Sequence, residues 1–110
     1  MVKRDVFQAI ADPHRRAILM LLARKSLTLN GLAEHFTISR PAVSKHIKIL
    51  VECGLVEIHK QGREHICVVR ASRLDEVARW VSDYRRIWDE RFDRLEAYLA
   101  ETQKKENHDG

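Results

Sequence analysis

The segment SRPAVSKHIKIL, residues 39–50, decides the fold of this 110-residue chain. It is typical of an amphipathic helix, because its first serine can cap the helix and the proline fits the first turn, where an N–H has no helical partner. Val43, Ile47 and Leu50 recur at i, i+4 and i+7 and predict a core-facing side. The opposite side carries basic and hydroxyl side chains, which contact with the DNA major groove requires: Arg40, Ser44, Lys45 and Lys48. The segment therefore predicts a nucleic-acid-binding helix.

Charge is distributed unevenly along the chain. The net charge is +4, but residues 1–70 carry +6 and residues 71–110 carry −2. A basic first part and a mildly acidic second part favour a polyanion-binding module joined to a segment with another task. With 45% hydrophobic residues, a chain of this length has room for one domain with its own core.

The sequence also predicts a cellular location. No apolar run approaches the ~18 residues of a membrane span, and the first residues lead into no signal-peptide core. The chain has two cysteines, which we expect to be reduced thiols in the absence of export features. We therefore expect a cytoplasmic protein without a membrane partner.

Three helices are predicted before residue 39. The first runs over Lys3–Ile10, and the second begins after an Asp-Pro pair and continues over Pro13–Arg24. Thr28 can cap the third helix, Leu29–Phe36. With a tight turn between them, the third helix and residues 39–50 form a helix-turn-helix.

Two strands are predicted next, Leu55–Lys60 and Glu64–Val69, joined by a three-residue loop. Directly opposed residues of a hairpin share a face. The alternation of apolar residues then predicts two opposed pairs, Val56 with Val68 and Ile58 with Ile66. The second, wetter face of the hairpin would hold Glu57, His59, His65 and Cys67. The tip would present the side chains of a DNA-contacting wing: Lys60, Gln61 and Arg63.

The wetter face suggests a metal hypothesis, which competes with plain polar positions or phosphate contacts. His59 and His65 would be close enough across the strands to share Zn²⁺ or Ni²⁺, with Cys67 beside them. Cys67 is also the better candidate for a redox role, whereas Cys53 is expected to be buried packing. The sequence otherwise indicates no metal and no cofactor.

A last helix is predicted from a Ser72 cap to about Glu101, some 30 residues or roughly 45 Å. Its apolar residues occupy an arc of roughly 140°: Val77, Trp80, Val81, Tyr84, Ile87, Trp88, Phe92, Leu95, Tyr98 and Leu99. A front domain only about 25–30 Å across cannot cover this stripe along its length, and an uncovered stripe invites aggregation. We therefore expect a twofold dimer of these helices, with the first helix beside them. The expected interface residues are Phe7, Trp80, Tyr84, Ile87, Trp88, Arg91, Phe92 and Leu95.

Arg91 is the single charge in that stripe. It would pair with a carboxylate of the partner, such as Asp83 or Glu90, or extend to the edge of the interface. The fold class is thus mainly α with a small β-hairpin, a winged helix-turn-helix of order α-α-α-α-β-β-α. The predicted domain is 1–101, with 72–101 as its dimerisation helix and 102–110 as a disordered tail.

The chain resembles the ArsR/SmtB-type transcriptional regulators over about residues 5–100. The resemblance rests on the order and spacing of several runs: FQAIADPHRRAIL at 7–19, RPAVSKHIKIL at 40–50, GLV at 54–56, YRRIW at 84–88 and RFDRL at 91–95. It implies a homodimeric repressor that occupies an operator near promoters, often that of its own gene. In the family motif His46 lies at the DNA-facing edge, where it would contact phosphate or buttress the helix by a hydrogen bond.

The sequence departs from the metal-sensing members of this family. They carry two thiols where this chain has Thr28 and Asn30, or Asp and His along the last helix, and residues 72–101 here contain no histidine. The resemblance therefore implies DNA binding without metal sensing at those sites.

The leading hypothesis is a sequence-specific, DNA-binding repressor that is not an enzyme, since no phosphate loop, activated nucleophile or apolar carboxylate pair is present. The expected DNA-binding residues are Ser39, Arg40, Pro41, Ser44, Lys45, His46, Lys48, Lys60, Gln61 and Arg63. Two alternatives stay open, a metal- or thiol-responsive repressor using His59, His65 and Cys67, and a winged helix used only for protein contact.

Overall fold

We describe the protein from a computed structural model, which covers the backbone of residues 5–108 and the side chains of residues 5–106. Its α-helices are α1 (Val6–Ile10), α2 (Pro13–Arg24), α3 (Leu29–Ala33), α4 (Arg40–Glu52) and α5 (Leu74–His108). Its strands are β1 (Leu27–Thr28), β2 (Val56–Gln61) and β3 (Glu64–Val69). The predicted fold class is confirmed. One unit of the chain ends at Val77 and a second begins at Ala78.

Local capping explains where the first helices begin. The Asp5 side chain accepts a hydrogen bond from the Gln8 N–H, and Gln8 in turn accepts from the Asp5 N–H, so α1 starts with a capping box. The Asp12 side chain accepts from the N–H groups of His14 and Arg15 at the start of α2, as the Asp-Pro pair predicts. The predicted residues Lys3 and Arg4 of α1 lie outside the described part of the chain.

The core of the first unit is formed by buried residues from every helix of that unit and from the sheet. Its largest fully buried side chains are Ile18, Leu32, Val43, Ile47, Leu50, Leu55, Val56 and Cys67. All three predicted core residues of α4 are in this group, and Ile49 is buried as well. Leu74 and Val77, in the first turn of α5, pack against the same core.

The third helix is shorter than predicted. It ends at Ala33, and the N–H groups of His35 and Phe36 bond to carbonyls three residues back, at Leu32 and Ala33. The predicted extension to Phe36 is wrong because tight turns replace the α-helical pattern there. The pattern also missed β1, whose two residues add a strand beside β3 and make the sheet order β1-β3-β2.

The predicted strand register is wrong by one residue. Val56 is opposite Val69, Ile58 is opposite Cys67, and His59 is opposite Ile66. Two features set the register. Leu55 belongs to the C-terminal cap of α4 and not to β2, and the loop between the strands has two residues, Gly62 and Arg63, where three were predicted. Because side chains alternate with a period of two, this shift moves β3 residues to the other face.

The corrected register changes the environment of Cys67. It faces the core, fully buried, and burial raises the pKa of its thiol. The predicted redox role for Cys67 is therefore wrong, because a thiolate would have to form in apolar surroundings. Cys53 is buried as predicted, and its Sγ donates to the Asp5 carbonyl at 3.7 Å.

The last helix begins and ends later than predicted. A 3₁₀ turn at Ala71–Arg73 precedes it, so Ser72 lies inside a turn and does not cap α5. The helix continues to His108, through most of the segment predicted to be disordered. Asp109 and Gly110 lie outside the described residues. No helix within residues 5–108 combines the length and apolarity needed to cross a membrane.

Candidate DNA-binding surface

The outward face of α4 begins at the N-cap of the helix, Ser39. Ser39 has extended dihedrals (φ −64°, ψ 154°), and its Oγ accepts from the Ala42 N–H at 3.3 Å. With Val43 and Ile47 anchored in the core, the opposite side of the helix is left to solvent. The exposed members of the predicted DNA-binding set on this helix are Ser39, Arg40, Pro41, Ser44, Lys45 and Lys48. Apart from Pro41 in the first turn, the outward face is thus basic and polar.

Arg40 is held at the N-terminal end of this face. Its Nη2 donates to Oδ1 of Asn30, an exposed residue of α3, and this bond joins the two helices of the helix-turn-helix. Sequence reasoning missed Asn30 as a partner of the reading helix. Asn30 occupies one of the two positions at which metal-sensing relatives are expected to carry thiols, so its position was singled out but its contact was not.

His46 does not lie on the outward face. Its side chain is 18% exposed, its Nδ1 lies 3.3 Å from Nη1 of Arg15, and its ring stacks on His14 at a centroid distance of 5.4 Å. Burial lowers the pKa of His46, and the positive charges of Arg15 and Lys45 act in the same direction against the opposing effect of Asp12. This placement favours the buttressing role over a phosphate contact.

The Arg15 side chain, on α2, contacts both α1 and α4. Its Nε donates to the Ala9 carbonyl at 2.7 Å and its Nη2 to the Gln8 carbonyl at 3.1 Å, at the end of α1. The third nitrogen faces His46 on α4. The arginine therefore couples the end of α1 to the reading helix, a role that the sequence pattern did not indicate.

The hairpin tip carries the predicted wing residues in exposed positions. The turn has positive φ only at its first residue, Gly62 (φ +61°), as in a type II′ hairpin turn. Lys60 is opposite His65, and Gln61 is opposite Glu64, so each pair shares one face of the wing. With Arg63 in the turn, the tip presents two basic side chains and one acidic side chain.

The structure separates the metal candidates of the wing. His59 and His65 lie on opposite faces of the hairpin, and Cys67 is buried. His59 instead contacts Glu57, with Nε2 3.1 Å from Oε2, and Arg70 donates to the other carboxylate oxygen. The His59 hydrogen bond, together with the Arg70 charge, lowers the pKa of Glu57. The proposed shared site of His59, His65 and Cys67 is therefore wrong.

The predicted dimer residues of the second unit form a continuous aromatic row. Trp80 stacks on Tyr84 at 5.3 Å, Tyr84 meets Trp88 edge-on at 6.0 Å, and Trp88 contacts Phe92 at 6.1 Å. The Arg91 guanidinium lies 5.5 Å from the centre of the Trp88 ring, a cation–π arrangement. The row is exposed, together with Ile87 and Leu95. Phe7, in the first unit, packs partly buried against the core.

The chain is similar to known proteins of one family. Residues 12–57, from the cap of α2 into β2, match the family described as "Bacterial regulatory protein, arsR family". The transcriptional repressor SdpR of Bacillus subtilis is 35% identical over 80 residues, covering 73% of this chain and 89% of the relative. An arsenical resistance operon repressor of Staphylococcus xylosus is 37% identical over 70 residues, 64% of this chain and 67% of the relative.

The chain is also similar to a solved structure of an ArsR-like regulator. An ArsR-like transcriptional regulator from Rhodococcus sp. RHA1 matches with a TM-score of 0.71 and 35% identity, over 88% of each chain. The chain belongs to the arsR family of bacterial regulatory proteins. It is a DNA-binding transcriptional regulator with a winged helix-turn-helix, and its family is one of regulators and not of enzymes.

Proposed function

We propose that the protein is a homodimeric repressor that binds an inverted-repeat operator through α4 and the wing. The exposed basic face of α4 supports this most directly, since a capped helix with its apolar side buried can enter a major groove without rearrangement. Arg40, Ser44 and Lys45 are the proposed base-reading residues. The proposed phosphate contacts are Lys48, Lys60 and Arg63.

Operator binding is tested by footprinting on the promoter of the protein's own gene. We expect protection of two half-sites with centres one helical turn apart, roughly 34 Å. Replacing Lys45 by Ala should weaken binding to the operator, whereas Lys25→Ala, an exposed lysine beyond the end of α2, should leave the affinity unchanged. Equal affinity for operator and bulk DNA would contradict the proposal.

The proposed dimer interface is the stripe on α5. A helix of 35 residues is about 52 Å long, and its aromatic row with Ile87 and Leu95 is exposed in the single chain. A second copy supplies a matching apolar surface, and an isologous contact of this kind sets the spacing of the two reading helices. Of the two other predicted interface residues, Arg91 would contribute from α5 and Phe7 from α1.

Two variants that introduce the same charge test the dimer. Leu95→Asp places a carboxylate within the stripe, and Ser82→Asp places one on the polar side of α5. We expect sedimentation equilibrium to show dimers for the parent and Ser82→Asp and a shift toward monomer for Leu95→Asp. A monomeric parent protein at micromolar concentration would refute the dimer.

Effector control through the thiol positions of metal-sensing relatives is not part of this proposal. Thr28 caps α3, its Oγ1 accepting from the Gly31 N–H at 3.0 Å, and Asn30 holds Arg40. Both positions therefore have structural tasks in the helix-turn-helix. We therefore expect that arsenite does not change the affinity of the protein for its operator.

A further inference from the structure

Three metal-ligating side chains meet where α2 begins and α4 passes. Asp12 caps α2, His14 lies in its first turn, and His46 lies in the middle of α4. One carboxylate oxygen and one nitrogen from each imidazole all lie within 4.8 Å of one another. Among the residues that the structure describes, this is the one group of three or more His, Cys, Asp and Glu so arranged. Sequence reasoning considered only His46, at the edge of the reading helix, and missed the cluster.

The distances fit a small divalent cation. Asp12 Oδ1 lies 3.6 Å from His14 Nδ1 and 4.0 Å from His46 Nδ1. Ligands at about 2.0–2.2 Å from a tetrahedral ion are separated by about 3.3–3.5 Å, so the two Asp12 pairs must close by less than about 1 Å. The two imidazole nitrogens, which lie within 4.8 Å of each other, must close by at most about 1.5 Å. Two imidazoles and one carboxylate suit Zn²⁺, Co²⁺ and Ni²⁺, and three protein ligands leave room for a water molecule.

The protonation states of two ligands also suit a cation. Burial opposes ionisation of Asp12, but hydrogen bonds from the Arg15 and His14 N–H groups and the charges of His46 and Arg15 outweigh it and lower its pKa. Burial lowers the pKa of His46, which favours the neutral ring that a metal binds.

Arg15 is the group that a cation would displace. Its Nη1 occupies the approach to His46 Nδ1, and its positive charge would repel a divalent ion. The guanidinium is planar and rigid, so moving this nitrogen away from His46 would also shift the hydrogen bonds to the Gln8 and Ala9 carbonyls. Occupation of the cluster and the Arg15–His46 contact are therefore mutually exclusive.

We propose that Asp12, His14 and His46 form a binding site for a divalent cation of the zinc, cobalt and nickel class, which bridges α2 to the reading helix. The site differs in position from the wing histidines and from the thiol positions of α3. Its ligands come from the start of α2 and from α4, so a bound ion adds a link to the contacts already present between them, such as Arg15 with His46 and the stacking of His14 on His46.

Cobalt titration of the full-length chain, freed of metal by a chelator, tests the site directly. We expect one Co²⁺ per chain with visible d–d absorption, displaced by Zn²⁺. His14→Gln and His46→Gln should each weaken binding by at least about 10- to 100-fold, because even the outer-shell partners of a metal site contribute that much. His65→Gln, in the exposed wing, is the matched control and should bind like the parent.

Thermal unfolding gives a second readout that does not depend on colour. Zinc at about 100 times its Kd should raise the Tm of the parent and of His65→Gln by on the order of 10 °C, and should have no such effect on His14→Gln. His14 is less buried than His46, so this variant keeps the fold if His46→Gln does not. Binding and Tm shifts that are equal in all variants, or no binding, would overturn the proposal.

Discussion

Nη1 of Arg15 lies 3.3 Å from Nδ1 of His46, and this contact joins α2 to the reading helix. The same guanidinium donates to the Gln8 and Ala9 carbonyls at the end of α1. One side chain thus connects the helix with the predicted DNA face to the helix beside which the dimer is proposed to form. Arg15 is for this reason the residue whose removal is most informative.

Replacing Arg15 by Ala should lower the free energy of unfolding by about 2–3 kcal/mol. The loss combines two hydrogen bonds from a charged donor with an Ala9 carbonyl that loses this donor, whereas the Gln8 carbonyl keeps the Ala11 N–H. Urea denaturation measures the change. Arg24→Ala removes an exposed arginine of the same helix and should cost less than about 1 kcal/mol; a similar loss in both variants would contradict the role of Arg15.

Lys48→Ala and Arg63→Ala should each reduce the salt dependence of operator binding. A lysine or arginine that neutralises one phosphate contributes about one unit to the slope of log K against log salt concentration. Fluorescence anisotropy at several salt concentrations gives that slope. Arg24→Ala serves again as the control. An unchanged slope for Lys48→Ala would show that Lys48 does not contact a phosphate.

Cys67 should resist alkylation in the native protein. Its thiol is buried and its pKa is raised, so both access and thiolate formation are suppressed. Mass spectrometry after timed alkylation should show modification of Cys67 only when urea unfolds the chain. Ser26→Cys adds an exposed thiol as an internal reference, and equally fast labelling of Cys67 would support the register that apolar alternation predicts.

Gly54→Ala should destabilise the protein by roughly 1–2 kcal/mol, as measured by urea denaturation. Gly54 has φ +76° at the end of α4, where an L side chain is strained, and a Cβ would lie 3.2 Å from Nε of Arg73. Gly62→Asn is the matched comparison, because φ is +61° but no atom lies within 4 Å, and asparagine tolerates this region. We expect the wing variant to lose less than about 1 kcal/mol.

The helices were predictable to the extent that local signals defined them. Asp12-Pro13 and Ser39 with Pro41 are start signals whose hydrogen bonds involve only neighbouring residues, and α2 and α4 begin where they predict. The end of α3 was not predictable, because tight turns with bonds three residues back use the same apolar spacing as a helix.

The strand register could not be deduced from alternation alone. On β3, Ile66 and Val68 alternate with Cys67 and Val69, so both faces of the strand look apolar. The cap at Leu55 and the two-residue turn decide which face of β3 is turned toward the core. On that face, Cys67 is paired with Leu27 of β1. The wing metal hypothesis was wrong for this reason, since it depended on which face each histidine occupies.

The sequence by itself determined the class of protein, the reading helix and the basic face, because periodicity and capping act over a few residues. Only the tertiary structure decided the register of the wing, the burial of Cys67, and the meeting of Asp12, His14 and His46. These features join residues that are distant along the chain. His14 and His46 are brought together by the packing of α2 against α4, which no local pattern encodes.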